Sequence, residues 1–593
     1  MADYSAPTQD MQFVIEEIAG LDAITALPGF EDASADLVEA VLEQAAKFAA
    51  EVFAPLNQPG DEHGTHVDNG TVVSPPGYAE AYRQFVDNGW QGIGKPTAID
   101  GQGLPFLVHS AVAEMWYSSN MAFALCPLLT SGAIEALETH APAELQALYL
   151  PHMISGEWSG TMNLTEPQAG TDLAAIKTRA ERDGERYRIR GQKIYITWGE
   201  HELSDNIVHL VLARLPDAPA GVKGISLFLV PKYLANADGT RGERNDLRVV
   251  SVESKMGIHS SPTCVMAYGD NEGAIGYLIG EEHNGLACMF TMMNNARLEV
   301  GMQGVAIAER AYQQALWFAK ERVQGIARGH SERSTIIHHP DVRRMLMQMR
   351  AITQAGRALA YYASAQTDLA HHLQSDAERA AHQSRVDLII PVVKGWCTEM
   401  AQEVTYLGVQ VHGGMGFIEE TGAAQHMRDA RILTIYEGTT GIQALDLMGR
   451  KMLRDNGQAI RHLLAELNEF DDALRALDGD FAAMSKRFTP ALAACKSATE
   501  WYLHEVAADP DLGSAVGVDY LMLVGNVAAA WLLARSALAA QRRIDAGSSD
   551  PYLRQKIATA VFFAERILPR SEALATMVMS GSASTMAIAA DEF

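Results

Sequence analysis

The hydrophobic pattern of this 593-residue chain changes its period twice, and this feature constrains the fold most. Apolar residues recur every three or four positions from about residue 35 to 157, which is typical of amphipathic helices. Between about 159 and 270 they form short β-branched or aromatic runs bounded by Gly, Pro and Asp, which predicts strands. Helical periodicity returns from about 285 to 450 in segments long enough for a bundle. The sequence therefore predicts a mostly α-helical protein with a middle β-domain.

The same pattern divides the chain into four predicted segments. We expect an N-terminal helical domain with an N-terminal extension at 1–158, a β-domain at 159–275 and a four-helix-bundle-like domain at 276–450. An additional helical domain, a C-terminal extension, is expected at 455–593. A loop rich in Pro, Gly and Asp is expected at 55–76, inside the first segment.

Charge and hydropathy make some partners poor candidates. Asp and Glu number 73 against 47 for Lys and Arg, and a net charge of -26 repels nucleic acid and anionic lipid. The most apolar run, residues 520–534, is interrupted by Gly525 and Asn526 and is shorter than the roughly 20 residues that span a bilayer. We therefore expect a buried helix there, no membrane insertion and no nucleic-acid partner.

The five cysteines are odd in number and far apart, with no C-x-x-C pair. This pattern indicates neither a disulfide framework nor a thiolate zinc site, and no metal is expected. The N-terminal residues lack the basic and apolar regions of a secretory signal and the Arg-rich character of a transit peptide. A reducing, cytoplasmic location is the expectation.

Residues 428–443 contain a candidate catalytic carboxylate, Glu437. The preceding Ile-Leu-Thr-Ile-Tyr stretch would bury the chain, and burial raises a carboxylate pKa towards the range useful for a base at neutral pH. Gly438 would allow a ligand to approach the backbone closely. The alternative is a helix C-terminus with an exposed Glu and a Gly cap.

Two further segments have residues suited to a planar ring or to phosphates. Residues 162–172 offer hydroxyls and backbone N–H groups at the start of the β-domain, although a simple turn cluster would look the same. Residues 410–416 hold a glycine cluster after a predicted helix, without the strand that a G-x-G-x-x-G fingerprint requires. A nicotinamide-binding fold is therefore disfavoured. His412 could serve acid–base or metal chemistry, or simply pack and donate a hydrogen bond.

A fourth segment places two arginines around a predicted helix in an acidic chain. Arg297 begins this helix and Arg322 follows it, and guanidinium groups suit bidentate phosphate contacts. The alternative for each is a surface ion pair.

In their order and spacing the four segments resemble the acyl-CoA dehydrogenase family, over about residues 80–450 and with the same α-β-α layout. The extensions at both ends resemble a long bacterial branch that includes dehydrogenases of 3-methylmercaptopropionyl-CoA. The resemblance implies an FAD-dependent acyl-CoA dehydrogenase of β-oxidation type that makes a trans-2-enoyl-CoA and passes electrons to an electron-transfer flavoprotein. An acyl-CoA oxidase and a non-catalytic flavin- or acyl-CoA-binding subunit are the alternatives. The substrate stays open between 3-methylmercaptopropionyl-CoA and a medium- or long-chain fatty acyl-CoA.

The resemblance also implies roles for individual residues. Glu437 matches the base that removes the pro-R α-proton, and it is the only matched base because Ala296 stands where some members keep theirs. The residues implied to bind FAD are Met162, Leu164, Thr165, Thr171, Tyr195, Ile196, Thr197, Gln410, Gly413, Gly414 and Thr439, with Arg322 and Gln324 reaching the FAD of a neighbouring subunit. The residues implied to contact the substrate are Thr171, Asn294, Arg297, Tyr436 and Gly438. A shared FAD site implies a homo-oligomer, with a dimer as the expected state.

Overall fold

In the computed structural model, which describes residues 3–593, the chain forms two compact units. The first unit contains the chain up to Ala46, Pro105–Ser118 and Arg297–Phe593. The second contains Lys47–Leu104 and Ser119–Ala296. Residues that are far apart in the sequence therefore fold together, and the N-terminal extension belongs to the same unit as the C-terminal extension.

The predicted fold class is confirmed, because long helices surround one β-rich segment in the chain. The helices are α1 Thr8–Val14, α2 Leu21–Thr25, α3 Ala35–Phe48, α4 Ala54–His63, α5 Tyr78–Asp87, α6 Phe106–His140, α7 Ala143–Ser155, α8 Gly285–Glu321, α9 Pro340–His372, α10 Asp376–His412, α11 Ala423–Ala430, α12 Thr440–Leu445, α13 Gln458–Arg475, α14 Asp480–Glu505, α15 Leu512–Asp545, α16 Pro551–Arg566 and α17 Arg570–Val578. The strands are β1 His66–Asp68, β2 Thr71–Val73, β3 Trp158–Asn163, β4 Arg179–Asp183, β5 Arg186–Thr197, β6 Asn206–Arg214, β7 Ile225–Pro231, β8 Tyr233–Ala235, β9 Arg241–Arg244, β10 Leu247–Val252, β11 Thr263–Tyr268 and β12 Ala274–Ile279.

The main sheet of the second unit has the strand order β10-β11-β5-β12-β7-β6-β3, with β4 pairing with β5 and β6. Neighbouring strands are antiparallel except where β3 and β4 pair with β6. Every residue of β7, and all of β6 except its last residue, is buried. Such continuous apolar strands are covered on both faces, which explains why they lack the strict alternation of a half-exposed strand.

The loop expected at 55–76 is wrong in its first part, where the chain forms α4. Pro55 lies in the first turn of α4, where a missing N–H removes no helical hydrogen bond. Gly60 is buried so closely against Tyr78 that a Cβ atom there would lie 2.4 Å from the Tyr78 hydroxyl oxygen. Tertiary packing therefore outweighs the low helix propensity of the Pro and Gly residues.

The C-terminal extension packs within the first unit, with α15 in contact with α9, α10, α12 and α16. The apolar run at 520–534 lies in α15 and is almost wholly buried, as predicted. Helices α6 and α15 are both long and apolar enough to cross a membrane by length and composition alone, and most of each apolar window is buried within the protein.

Gly525 and Asn526, which interrupt this apolar run, form its contact with Trp396 of α10. A Cβ atom on Gly525 would lie 2.3 Å from Trp396 Cδ1. The Trp396 indole N–H donates a hydrogen bond to Asn526 Oδ1 at 2.9 Å. The interruption is thus a place where two buried helices approach each other closely.

Replacing Gly525 by Val should lower the free energy of unfolding by about 1–3 kcal/mol, because the new side chain overpacks a filled interface. Thermal denaturation of the purified protein measures this change. Gly449→Ala is the matched control, since no atom lies within 4 Å of the position where its Cβ would be placed. An unchanged melting temperature for Gly525→Val would show that α10 and α15 do not pack in this way.

Candidate active site

Glu437 lies in a tight turn between the 3₁₀ segment Arg431–Thr434 and α12. Its backbone φ is +56°, and that of Gly438 is +93°. A left-handed conformation is uncommon for Glu, and such conformations concentrate at functional sites. The alternative of an exposed Glu does not hold, because the residue is half-buried and its turn leads into α12.

The electrostatic surroundings of Glu437 match those of a general base. Burial raises the pKa of its carboxyl above the usual range, whereas the positive charges of Arg297 and Lys394 lower it. The net shift is upward, as the apolar residues before Glu437 predict. A carboxylate with a raised pKa is the better proton acceptor at neutral pH.

The turn that carries Glu437 is held through its carbonyl oxygens. Gln443 Nε2 donates to the carbonyls of Glu437 at 3.0 Å and Gly438 at 3.3 Å. Lys394 Nζ donates to the Gly438 carbonyl at 2.7 Å. No described residue accepts a hydrogen bond from the N–H of Glu437 or Gly438. These two donors therefore stay available to a ligand.

Lys394 and Gln443 were not among the site residues predicted from the sequence. A signal for Lys394 is present, because a single lysine stands in the otherwise apolar run 388–396. Gln443 has no comparable signal, since its role follows from the turn that returns its side chain to Glu437.

Among the residues implied to contact substrate, Arg297 is buried and pairs with Asp446 at 2.9 Å. Its Nε has no hydrogen-bond partner among the described residues. The Tyr436 hydroxyl donates to Gln303 Oε1, and burial raises the pKa of this tyrosine well above its usual range. Asn294 is exposed on α8, within the second unit.

In the second unit, the structure brings together two of the segments implied to bind FAD. The Ile194 N–H donates to the Thr165 carbonyl at 2.9 Å, and Thr161 Oγ1 donates to the Thr197 carbonyl at 2.8 Å. The register of β5 against β11 shifts here, and Tyr195 adopts a φ of +59°. The Tyr195 side chain is 61% exposed as a result. Of the neighbouring residues, Ile196 is buried, Met162, Leu164, Thr165 and Thr197 are half-buried, and Thr171 is exposed.

A buried ion pair that was not predicted from the sequence stabilises this edge. Lys193 Nζ contacts Glu166 Oε1 and the Leu164 carbonyl, both at 2.8 Å. Burial alone would raise the pKa of Glu166, but Lys193 and the Thr178 hydroxyl lower it to about 2. The pair holds residues 164–166 against β5.

The remaining residues implied to bind FAD lie in the first unit. Arg322 and Gln324 belong to an exposed arm, residues 322–336, which pairs with itself through a Gln324 N–H to Ser334 carbonyl bond of 3.0 Å. Gln410, Gly413 and Gly414 are exposed where α10 ends. Thr439 caps α12, with its hydroxyl oxygen accepting from the Ile442 N–H at 3.3 Å. His412 is buried and donates from Nδ1 to the Gly408 carbonyl at 2.7 Å, which is a packing role.

The sequence matches known families along most of its length. Residues 36–157, 161–270 and 283–453 match the families described as acyl-CoA dehydrogenase N-terminal, middle and C-terminal domains. Residues 460–589 match the family described as acetyl-CoA dehydrogenase C-terminal like.

Individual relatives cover nearly the whole chain. The 3-methylmercaptopropionyl-CoA dehydrogenase of Ruegeria pomeroyi is 49% identical over 95% of this chain and 96% of its own. The broad-specificity linear acyl-CoA dehydrogenase FadE5 of Mycobacterium tuberculosis is 35% identical over 96% of both chains. A solved Bacillus anthracis acyl-CoA dehydrogenase complexed with FAD is 22% identical, with a TM-score of 0.74 over 96% of this chain and 91% of that one. At that identity the structural likeness supports the fold alone.

Proposed function

Because the chain belongs to the acyl-CoA dehydrogenase family, we propose that it converts an acyl-CoA thioester to the trans-2-enoyl-CoA and passes the electrons to an electron-transfer flavoprotein. In general terms, the protein is an oxidoreductase that acts on a CH–CH bond. The raised pKa of Glu437, in a turn with two available N–H groups, is the observation that supports the proposal within this chain.

The cofactor of this family is FAD, and the residues present fit it. The exposed ring of Tyr195 at a backbone bulge is suited to contact a flat group. The hydroxyls of Thr165 and Thr171 have no partner among the described residues and can bind the polar edge of such a group. When bound, FAD supplies the acceptor for the hydride that leaves the β-carbon of the substrate.

Glu437 performs the proton transfer. Its carboxylate takes the α-proton, and the electron pair of that C–H bond forms the new double bond as the β-hydrogen departs. Negative charge builds on the thioester oxygen during this step, and backbone N–H donors placed there stabilise it. The N–H groups of Glu437 and Gly438 are available for this role.

We further propose 3-methylmercaptopropionyl-CoA as the substrate. The support is the relative of that name, whose identity of 49% exceeds the 35% of the broad-specificity linear acyl-CoA enzyme, both over nearly the whole chain. A linear fatty acyl-CoA is the alternative that the second relative supports.

Anaerobic titration of the purified protein with a panel of acyl-CoAs tests the function and the substrate together. Addition of 3-methylmercaptopropionyl-CoA should bleach the flavin absorbance at a lower concentration than butyryl- or octanoyl-CoA. Bleaching by none of them would contradict the acyl-CoA dehydrogenase activity. Rapid reoxidation of the bleached protein by air would contradict an electron-transfer flavoprotein as the acceptor and support an oxidase.

We also propose that the working unit is a homo-oligomer, with a dimer as its smallest form. The arm at 322–336 exposes the apolar side chains of Val323 and Ile326. After α10, Met415 and Phe417 are also exposed, Phe417 by 84%. Exposed apolar side chains in such groups are typical of protein–protein contacts.

Arg322→Ala should weaken FAD retention if the arm reaches the cofactor of a neighbouring subunit, because a phosphate-pairing charge is lost. We expect a lower flavin-to-protein ratio after gel filtration. Arg344→Ala removes another exposed arginine, on α9, and should not change that ratio. A wild-type protein that sediments as a monomer with full FAD and activity would contradict the shared site.

A further inference from the structure

Lys394 lies on α10 in the middle of an apolar run, and its side chain is fully buried. Removing an ammonium group from water costs several kcal/mol unless other groups stabilise the charge. The other fully or nearly fully buried lysines, Lys193, Lys232 and Lys556, all contact a carboxylate. Lys394 forms no ion pair within 4 Å among the described residues. Its direct acceptor is a backbone oxygen.

That acceptor is the Gly438 carbonyl, 2.7 Å from Nζ, in the turn that carries Glu437. The charged groups that act on Lys394 are Glu437, Glu399 on its own helix, and Arg297 on α8. Those that act on Glu437 are Arg297 and Lys394. The two cations facing Glu437 differ in their hydrogen-bond partners, which are the Asp446 carboxylate for Arg297 and the Gly438 carbonyl for Lys394.

We propose that Lys394 is a positioning residue for the reaction, holding the left-handed turn at Glu437 and Gly438 and stabilising the ionised, proton-accepting form of Glu437. This inference rests on the proposed dehydrogenase function and adds a residue that acts through the base. The Gly438 carbonyl accepts hydrogen bonds from the Lys394 ammonium and from Gln443 Nε2, so both bonds are made to a carbonyl oxygen of the turn. The N–H groups of the turn are thereby left to the substrate.

The direction of the effect follows from charge. An ammonium ion favours the ionised carboxylate, so its loss raises the pKa of Glu437 further. The base must be ionised to accept the α-proton. The acidic limb of kcat/KM should therefore move to higher pH when the charge of Lys394 is removed.

The test is the pH profile of kcat/KM for Lys394→Met and Lys394→Gln, measured on FAD-loaded full-length protein. The acidic limb should move up by about one pH unit in both variants, which is a tenfold loss of kcat/KM at any pH below the limb. Lys394→Gln keeps a hydrogen-bond donor without the charge, so its kcat should fall less than that of Lys394→Met. Lys556→Met is the matched control, a buried lysine of the same unit that faces Asp10, and it should lower the melting temperature without moving the limb.

Two kinds of result contradict the role of Lys394, and a third contradicts the proposed function instead. A limb that stays at the wild-type position in either folded variant overturns the role of Lys394. If neither variant folds, Lys394→Arg decides, because arginine keeps a positive charge and hydrogen-bond donors at this position and should leave the limb where it lies in the wild type. A limb that moves up by about one pH unit in Lys394→Arg overturns the inference. If the wild-type protein oxidises no acyl-CoA, this result contradicts the proposed dehydrogenase function.

Discussion

Glu437→Gln should retain FAD, and its turnover rate should fall by a factor of at least about 10² to 10⁴, the range that a general base contributes. Glutamine keeps the shape of the side chain and cannot accept the α-proton. The backbone of the turn is held by Lys394 and Gln443 through carbonyl oxygens, so the substitution leaves those contacts in place. The flavin spectrum and the melting temperature should therefore change little.

The size of the loss depends on whether another base is near. Ala296 cannot accept a proton, and the charged side chains that act electrostatically on Glu437 are the cations Arg297 and Lys394. Single-turnover bleaching of the flavin under anaerobic conditions measures the chemical step directly. Glu500→Gln removes a surface carboxylate paired with Arg461 and should leave the rate unchanged. A loss of less than about tenfold for Glu437→Gln would show that another residue takes the proton.

Arg357→Met should lower the free energy of unfolding by about 3–5 kcal/mol, the cost of removing one partner from a buried ion pair. The Arg357 guanidinium is buried and contacts three carboxylates of the first unit, namely those of Asp10 at 2.5 Å, Glu114 at 2.6 Å and Glu309 at 2.8 Å. Without the arginine, these carboxylates stay buried with Lys556 as the remaining cation of the cluster. Burial already raises the pKa of Glu114 in spite of Arg357.

The same cluster joins both extensions to the helical bundle. Asp10 belongs to α1 in the N-terminal extension, and Lys556 on α16 in the C-terminal extension contacts it at 2.8 Å. The Tyr552 hydroxyl donates to the same carboxylate at 2.6 Å. Loss of Arg357 should therefore also expose the N-terminal extension to proteolysis before the rest of the chain unfolds.

Chemical denaturation and limited proteolysis measure these two effects. Arg344→Ala breaks an exposed ion pair with Asp341 and should cost less than about 1 kcal/mol, since exposed pairs contribute little. If Arg357→Met costs no more than this control, the buried cluster does not stabilise the unit. An N-terminal extension that is cleaved at the wild-type rate would show that the cluster does not anchor it.

The sequence by itself determined the fold class and the candidate base. Hydrophobic period depends on which face of a local segment is buried, so the change from helical to strand patterning could be seen without knowing any partner. The stretch before Glu437 made it a candidate but left an exposed Glu at a helix end as the alternative, and its assignment as the base came from the resemblance to a family. Residues 162–165 and 195–197 lie together in the structure. Their resemblance to a family predicted them only as two separate segments that both bind FAD.

Only the tertiary structure decided how these segments are held. Lys394 is 44 residues from Gly438 in the sequence and Gln443 is 5 residues from it, and both contact the Glu437 turn. No local sequence pattern predicts these pairings. Gly525 and Asn526 looked like a break in an apolar helix and are its contact with Trp396. The Pro-rich stretch at 54–63 is helical because it packs against Tyr78. Apart from the contact of Gln443, these contacts join residues that are distant in sequence, whereas periodicity and propensity report only local preferences.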